Sequence, residues 1–196
     1  MSVKKSNEIT VKIKCSLNEF YKVIEEKGFK IIDEFSMDDS YFIPKDLMID
    51  EMTTREILTK AVLIRDIRDK MSDRATKKIT FKIKNFDEFG NILNQEAIWC
   101  EILKIDDAKR LLMAMGYKEI MNIKEDDVVY EKDGFQFAVK DICKGDNLLE
   151  VETEENPNLD TVEKLIGKLD EMALPVFTDC FFVKKAEIEL NKVLGR

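Results

Sequence analysis

The side chains able to do chemistry fall at alternate positions of a few short segments. Glu8, Thr10, Lys12 and Lys14 alternate with Ile9, Val11 and Ile13; Lys78, Thr80, Lys82 and Lys84 alternate with Ile79, Phe81 and Ile83; Glu150 and Glu152 flank Val151. A period of two puts each charged set on one face of a β-strand. Carboxylates at alternate positions of one strand can share a magnesium or manganese ion, because hard cations take oxygen ligands. Lysines and arginines on neighbouring strands can hold phosphate oxygens, which the ion then bridges. Such a site lowers the charge of a polyphosphate and aligns a water for in-line attack, and it needs no histidine.

The chain has no histidine, which excludes His-based general-base catalysis, Ser-His-Asp triads and His-containing metal sites. Its four cysteines, Cys15, Cys100, Cys143 and Cys180, lie far apart and form no C-x-x-C pair, so a zinc ribbon or dithiol redox centre has no support. Reduced, mostly buried thiols of a cytoplasmic protein are expected. The net charge of −8, from 32 Lys plus Arg against 40 Asp plus Glu, argues against a broad nucleic-acid surface, so positive charge has to be concentrated inside. Residues 1–16 read polar where a signal peptide would be apolar, and the longest apolar run is 111–115, against the ~20 residues of a bilayer span. No nucleic-acid and no membrane partner is expected.

The elements that must position these groups are readable along the chain. After the strand at 8–14, Ser16-Leu17-Asn18-Glu19 fits a capping box, Phe20, Val23 and Ile24 give the helix its buried side, and Gly28 ends it. A strand is expected from 29 toward 44, a short helix from Thr53 or Thr54, and an element of undecided type over 61–68. Strands follow at 78–84 and 95–105 around turn residues 87–91. Asp106 is read as the cap of a helix ending at Gly116, with Leu111, Leu112 and Met115 for the core. Asp133-Gly134 marks a hairpin between 128–131 and 135–141. A strand at 148–152, a helix capped by Asp160 and running to about Met172, and a final helix over 179–194 complete the chain. Trp99, Met113, Met115, Phe181 and Phe182 read as core packing. The 196 residues suit one domain spanning 1–196, α+β in class. Alternation alone leaves two arrangements: an open antiparallel sheet with one solvated face, or an antiparallel barrel with a polar, charged interior and helices packed outside.

The order of motifs resembles the CYTH superfamily, the triphosphate tunnel metalloenzymes that include class IV adenylate cyclases and thiamine triphosphatases. Glu8-Ile9-Thr10-Val11-Lys12 is similar to the E-x-E-x-K strand with which that family opens, with threonine at the second acid. Asp39-Ser40-Tyr41-Phe42 resembles its D-x-Y-[FY] segment, and 63–68 resembles its L-R-x-R strand with the arginines three apart. Ile79-Thr80-Phe81-Lys82 is similar to L-T-x-K, Gln95-Glu96 to a later acid strand, and Glu150-Val151-Glu152 to the E-x-E near the end. The family's K-x-R strand should precede the hairpin, where this chain has Asn122-Ile123-Lys124-Glu125-Asp126-Asp127. The acid expected on the next strand is read as Asp141, preceded by Lys140.

The resemblance implies a barrel whose tunnel takes a triphosphate. It implies that Glu8, Glu150 and Glu152 hold Mg2+ or Mn2+, and that Lys12, Lys82, Lys140 and either Arg65 or Arg68 bind phosphate oxygens with Tyr41 near them. Lys12 and Lys124 are the catalytic candidates, while Lys14, Lys78 and Lys84 belong at the mouth or on the surface. The implied activity is divalent-metal-dependent hydrolysis of inorganic triphosphate, thiamine triphosphate or a nucleoside triphosphate. The alternatives are a class IV-type adenylate cyclase and a non-catalytic polyphosphate or nucleotide binder. The partner is then a triphosphate-containing small molecule, and a homodimer is compatible with this reading.

Overall fold

The computed structural model describes residues 8–86 and 92–196; the turn expected at 87–91 lies outside the described residues. The chain runs β1 (Glu8–Lys12), α1 (Leu17–Glu26), β2 (Lys30–Pro44), α2 (Thr54–Leu58), β3 (Val62–Asp69), β4 (Ala75–Phe86), β5 (Ile92–Glu101), α3 (Ile105–Ala114), β6 (Tyr117–Lys132), β7 (Phe135–Ile142), β8 (Asn147–Glu152), α4 (Val162–Met172) and α5 (Lys185–Leu194). The strands form one eight-stranded sheet in the order β1-β8-β7-β6-β2-β3-β4-β5, with every pair antiparallel. The class is α+β.

Local chemistry explains most boundaries. Ser16 caps α1 in a reciprocal box with Glu19, and Thr53 does the same for α2 with Glu56; each such cap is worth ~1 kcal/mol. Asp133 and Gly134 both have positive φ, 52° and 78°, which is the type I′ geometry that matches the twist of the β6–β7 hairpin. Two expected caps are corrected. The residue before α3 is Lys104, with no side-chain cap bond, and Asp106 lies inside the first turn. Thr161, not Asp160, caps α4 through Lys164 N–H, while the Asp160 carboxylate takes the Lys164 ammonium.

The sheet curls, and helices cover it on both sides. On its outer face, α1 and α4 bury Phe20, Ile24, Leu165 and Leu169 against Ile9, Val11, Phe137 and Val139. Also outside, α3 buries Ala108 and Leu112 over Phe42 and Ile64. On the inner face, α2 and α5 bring Ile57 and Leu190 onto Tyr41, Leu63, Met121, Ile123 and Leu148, closing one end. Leu111 and Met115 are corrected: they are exposed, because the buried stripe of α3 is Ala108/Leu112 and the next i, i+4 stripe faces away. Met113 and Trp99 are exposed as well. The expectation of mostly buried thiols fails too, since Cys100, Cys143 and Cys180 are exposed and Cys15 is half-buried.

The closed barrel is the main correction. Among the described residues no ladder joins β1 to β5, so the sheet has two edges. The free edge of β1 is already used: Thr10 N–H donates to Phe181 O, Val183 N–H to Thr10 O, Phe177 N–H to Lys12 O and Lys14 N–H to Pro175 O. The segment 175–183, expected to enter the last helix at 179, instead meets this edge at two isolated bridges, Ile13 with Val176 antiparallel and Thr10 with Phe182 parallel, and so takes groups that closure would need.

Asn156 holds the end of β8 to β7. It is 2% exposed, accepts from Gln136 N–H at 2.9 Å, and donates to Gln136 O at 3.0 Å and Glu152 O at 2.8 Å. Asn156→Ala leaves three part-buried backbone groups without this partner and is expected to lower unfolding free energy by about 1–3 kcal/mol, read as a reduced urea midpoint at unchanged slope.

Candidate active site

A cavity of about 550 Å³ lies in the curl of the sheet, and Glu8 and Thr10 of β1 share it with Lys82 and Lys84 of β4. Those two strands stand six places apart in the sheet order, so curvature alone brings them face to face. Pleating decides which side chains look inward. The β1–β8 register sets Glu8 opposite Glu152 and Thr10 opposite Glu150, making an acidic strip. Arg65, Lys82 and Lys84 line the cavity from β3 and β4, making a basic one.

The acidic strip is electrostatically loaded. Burial, then the Glu150 charge, raises Glu8 above the ordinary carboxyl range. Burial, then Glu150, Glu155 and Glu8, pushes Glu152 up to about 8. Burial acts on Glu150 in the same sense, but the Lys140 ammonium outweighs it and holds that carboxyl below its usual range. Lys140 Nζ sits 3.0 Å from Glu150 Oε1 and 2.8 Å from Asp127 Oδ2, and Thr10 Oγ1 donates to Glu150 Oε2 at 3.4 Å. Crowded carboxylates short of cations are a donor set suited to a hard divalent ion. Among the described residues no three acids or cysteines already lie close enough to hold one. Glu8 and Glu152 fit as ligands, and Glu150 fits once Lys140 leaves it.

The basic strip rests on a buried carboxylate. Arg65 donates from Nε and Nη2 to the two carboxylate oxygens of Asp39, both at 2.6 Å. Asp39 is 1% exposed, so breaking this forked pair would cost about 3–5 kcal/mol. Burial lowers the Arg65 pKa, but the Asp39 bonds and charge outweigh it, and the guanidinium stays charged. Its remaining N–H groups can serve a ligand. Lys82 has no comparable support: burial, then Arg65 and Lys84, pull it down to about 8. Tyr41 lines the cavity fully buried, its phenol raised by burial and then by Asp39.

The other candidates fall elsewhere. Arg68 lies on the opposite face of β3, exposed, with its guanidinium 3.7 Å from Asp66. Lys124 is exposed on the far face of β6 and pairs with Asp38 at 3.2 Å. Lys12 is half-exposed and pairs with Asp146 at 2.9 Å, away from the cavity lining. Lys140 does reach the cavity. Lys84, expected at the mouth or on the surface, lines the cavity. Lys78 lies over the Trp99 ring at 4.9 Å and Lys14 over Phe177 at 5.6 Å. Glu96 pairs with Ile83 in register and so shares its face, opposite that of Lys82.

Sequence reasoning missed the inner wall of β6. Glu125 and Asp127 are buried there, Asp127 opposite Lys140 in register. The resemblance implies bases on this strand and an acid on the next; the pleat turns two acids inward from β6 and a lysine inward from β7, with Asp141 on the other face. Lys185 at the start of α5, 2.5 Å from Glu125, and Arg55 of α2, paired with Glu187 at 3.0 Å, also line the cavity. Nothing in the local sequence marks either.

No family model and no curated protein matches the chain, but solved structures do. A Pyrococcus horikoshii protein, PH1819, superposes with a TM-score of 0.68 at 20% identity, over 95% of this chain and 99% of that one. A candidate adenylate cyclase from Vibrio parahaemolyticus gives 0.61 at 13% identity, over 100% of both chains. HpAC1 from Hippeastrum, a candidate adenylyl cyclase described as having a dominant triphosphatase activity, gives 0.59 at 12% identity, over 96% of each. The fold is therefore one shared with chains described as candidate adenylate cyclases, one of them with a dominant triphosphatase activity. No helix among the described residues is long and apolar enough to cross a membrane.

The depressed Lys82 gives a prediction with a definite sign. Between pH about 8 and its ordinary 10.5 the unfolded chain holds a proton that the folded one has lost, so stability attributable to this group rises with pH across that window. Below pH 8 the penalty of a desolvated ammonium beside Arg65 and Lys84 is present in full. Lys82→Met is expected to raise Tm at pH 7 and to flatten the rise in stability between pH 8 and 10.5, by scanning calorimetry, while weakening tripolyphosphate binding.

Proposed function

We propose that this protein is a divalent-metal-dependent enzyme that hydrolyses a triphosphate-containing substrate in the charged cavity. The observation that carries this reading is the confrontation of two strips across one cavity, Glu8, Glu150 and Glu152 on one side and Arg65, Lys82 and Lys84 on the other. Glu8 and Glu152, joined by Glu150, would hold Mg2+ or Mn2+, which when bound supplies charge neutralisation on phosphate oxygens and a polarised water. Arg65 grips equatorial phosphate oxygens from a planar guanidinium whose orientation Asp39 fixes. Lys82 and Lys84 add mobile ammonium donors, and charge that builds on the phosphoryl group during in-line displacement falls on them. The apolar part of the lining, Met37, Leu63 and Ile67 among it, excludes bulk water and strengthens these contacts. The triphosphatase activity described for HpAC1, on a chain of the same fold, supports this reading over cyclisation.

A second reading, a non-catalytic polyphosphate binder, is favoured by Thr10 standing where the resemblance implies an acid and by both Glu150 oxygens being engaged.

Calorimetric titration of tripolyphosphate, ATP and thiamine triphosphate, with and without Mg2+ or Mn2+ and followed by product analysis, separates the readings. Metal-dependent release of phosphate is expected, and Glu152→Gln and Glu8→Gln should each reduce it by about 10²-fold or more without lowering Tm. Binding without turnover would establish the binder, and cyclic nucleotide as product would establish the cyclase. Wild-type rates in both variants would sink the metal-site assignment.

A further inference from the structure

Lys140 is only 7% exposed, on a wall shared with the candidate metal ligands. Two of its three ammonium hydrogens have acceptors, Glu150 Oε1 at 3.0 Å and Asp127 Oδ2 at 2.8 Å. The Glu150 oxygen it occupies is one a divalent ion would need. Asp127 is fully buried, and its other oxygen, Oδ1, has no hydrogen-bond partner among the described residues; Glu125 Oε2, on the same inner face of β6, is in the same condition. A buried carboxylate oxygen without a donor costs about 1–3 kcal/mol or more. The wall therefore holds one ammonium that serves two carboxylates, with acceptor capacity left over on β6.

We infer that Lys140 is an internal cation that stands in for the metal on Glu150, and that on metal loading its ammonium transfers wholly to Asp127. This rests on the metal-dependent reading above and adds to it a positioning residue on which metal affinity depends. The exchange conserves hydrogen bonds. When the metal takes Glu150 Oε1, the ammonium hydrogen released there finds Asp127 Oδ1, on a carboxylate Lys140 already touches. The charges stay paired as well: the ammonium remains beside β6 with Asp127, and the incoming dication offsets two of the three negative charges of Glu8, Glu150 and Glu152. The placement of Glu125 and Asp127 on β6 has a purpose in this scheme, since a basic β6 would leave the displaced ammonium nowhere to go. Lys185, held at 2.5 Å by Glu125 Oε1, compensates the second acid of β6 and leaves Asp127 to Lys140.

The test reads Mn2+ affinity of the full chain without substrate, by calorimetry and by the electron paramagnetic resonance of free Mn2+. Asp127→Asn weakens the destination of the ammonium and is expected to lower Mn2+ affinity about tenfold. Asp127→Asn combined with Lys140→Met removes one charge of each sign, frees Glu150, and is expected to raise affinity about tenfold above wild type. Thermal unfolding of both variants checks that they are folded, and Lys140→Gln with Asp127→Asn replaces the second variant if it is not. Opposite shifts in the two variants support the exchange, because a merely structural role would move both the same way. Wild-type binding of Mn2+ with both variants unchanged, or both weakened, overturns the exchange and leaves the metal site standing. No Mn2+ binding by wild type or by either variant overturns the metal reading and the exchange with it.

Discussion

A single buried ammonium makes the inner wall of β6, β7 and β8 possible. Lys140 Nζ lies between Asp127 and Glu150, and without it two carboxylates would face each other inside the curl of the sheet. Burying a charge costs several kcal/mol unless a partner of opposite sign is placed with good geometry. Burial alone would drive Lys140 toward neutrality, but Glu150, Asp127 and Glu125 outweigh it and hold its pKa well above the ordinary value. Burial, which Lys140 only partly offsets, nonetheless leaves Asp127 raised to about 6.

The opposite wall solves the same problem with a different side chain. Arg65 and Asp39 form a closed two-bond fork, which a lysine could not reproduce because it is a point charge on a flexible stem. The Arg65–Asp39 pair is satisfied, whereas the β6 wall is short of donors, with Asp127 Oδ1 and Glu125 Oε2 unpartnered among the described residues, in a way that favours exchange. Stability and function pull apart along this line: Tyr41, Glu152 and Lys82, all strongly perturbed by burial, line the cavity, while the apolar clusters under α1, α4 and α3 carry the burial that pays for them.

The edge of β1 ties the C-terminal residues to the site. By running along β1, the segment 175–183 leads the chain to α5, which delivers Lys185 and Glu187 to the cavity. Arg55 and Thr54 of α2 bind Glu187 and Asn191 of α5, and the Arg196 guanidinium donates to Met52 O and Ile49 O. The two helices thus act as one cap over the apolar end of the inner face.

Alternation was legible in the sequence because it is a local property: Glu8, Glu150, Glu152 and Lys82 had to share strand faces with their neighbours at i ± 2, and the capping box at Ser16, the helix start at Thr53 or Thr54 and the Asp133-Gly134 turn each rest on a few adjacent residues. Those features determined most of the strands, the starts of α1 and α2, and the α+β class. Tertiary structure decided everything that depends on pairing. Arg65 rather than Arg68 lines the cavity because of the β2–β3 register, and Glu125 and Asp127 turn inward rather than Lys124 because one residue's shift along a strand exchanges the faces. The expected closure failed because a segment distant in sequence had taken the hydrogen-bonding groups of β1. Lys140 could be seen as a charge on a strand, but its two acceptors lie 10 and 13 residues away on different strands, and only the folded sheet brings them to one nitrogen.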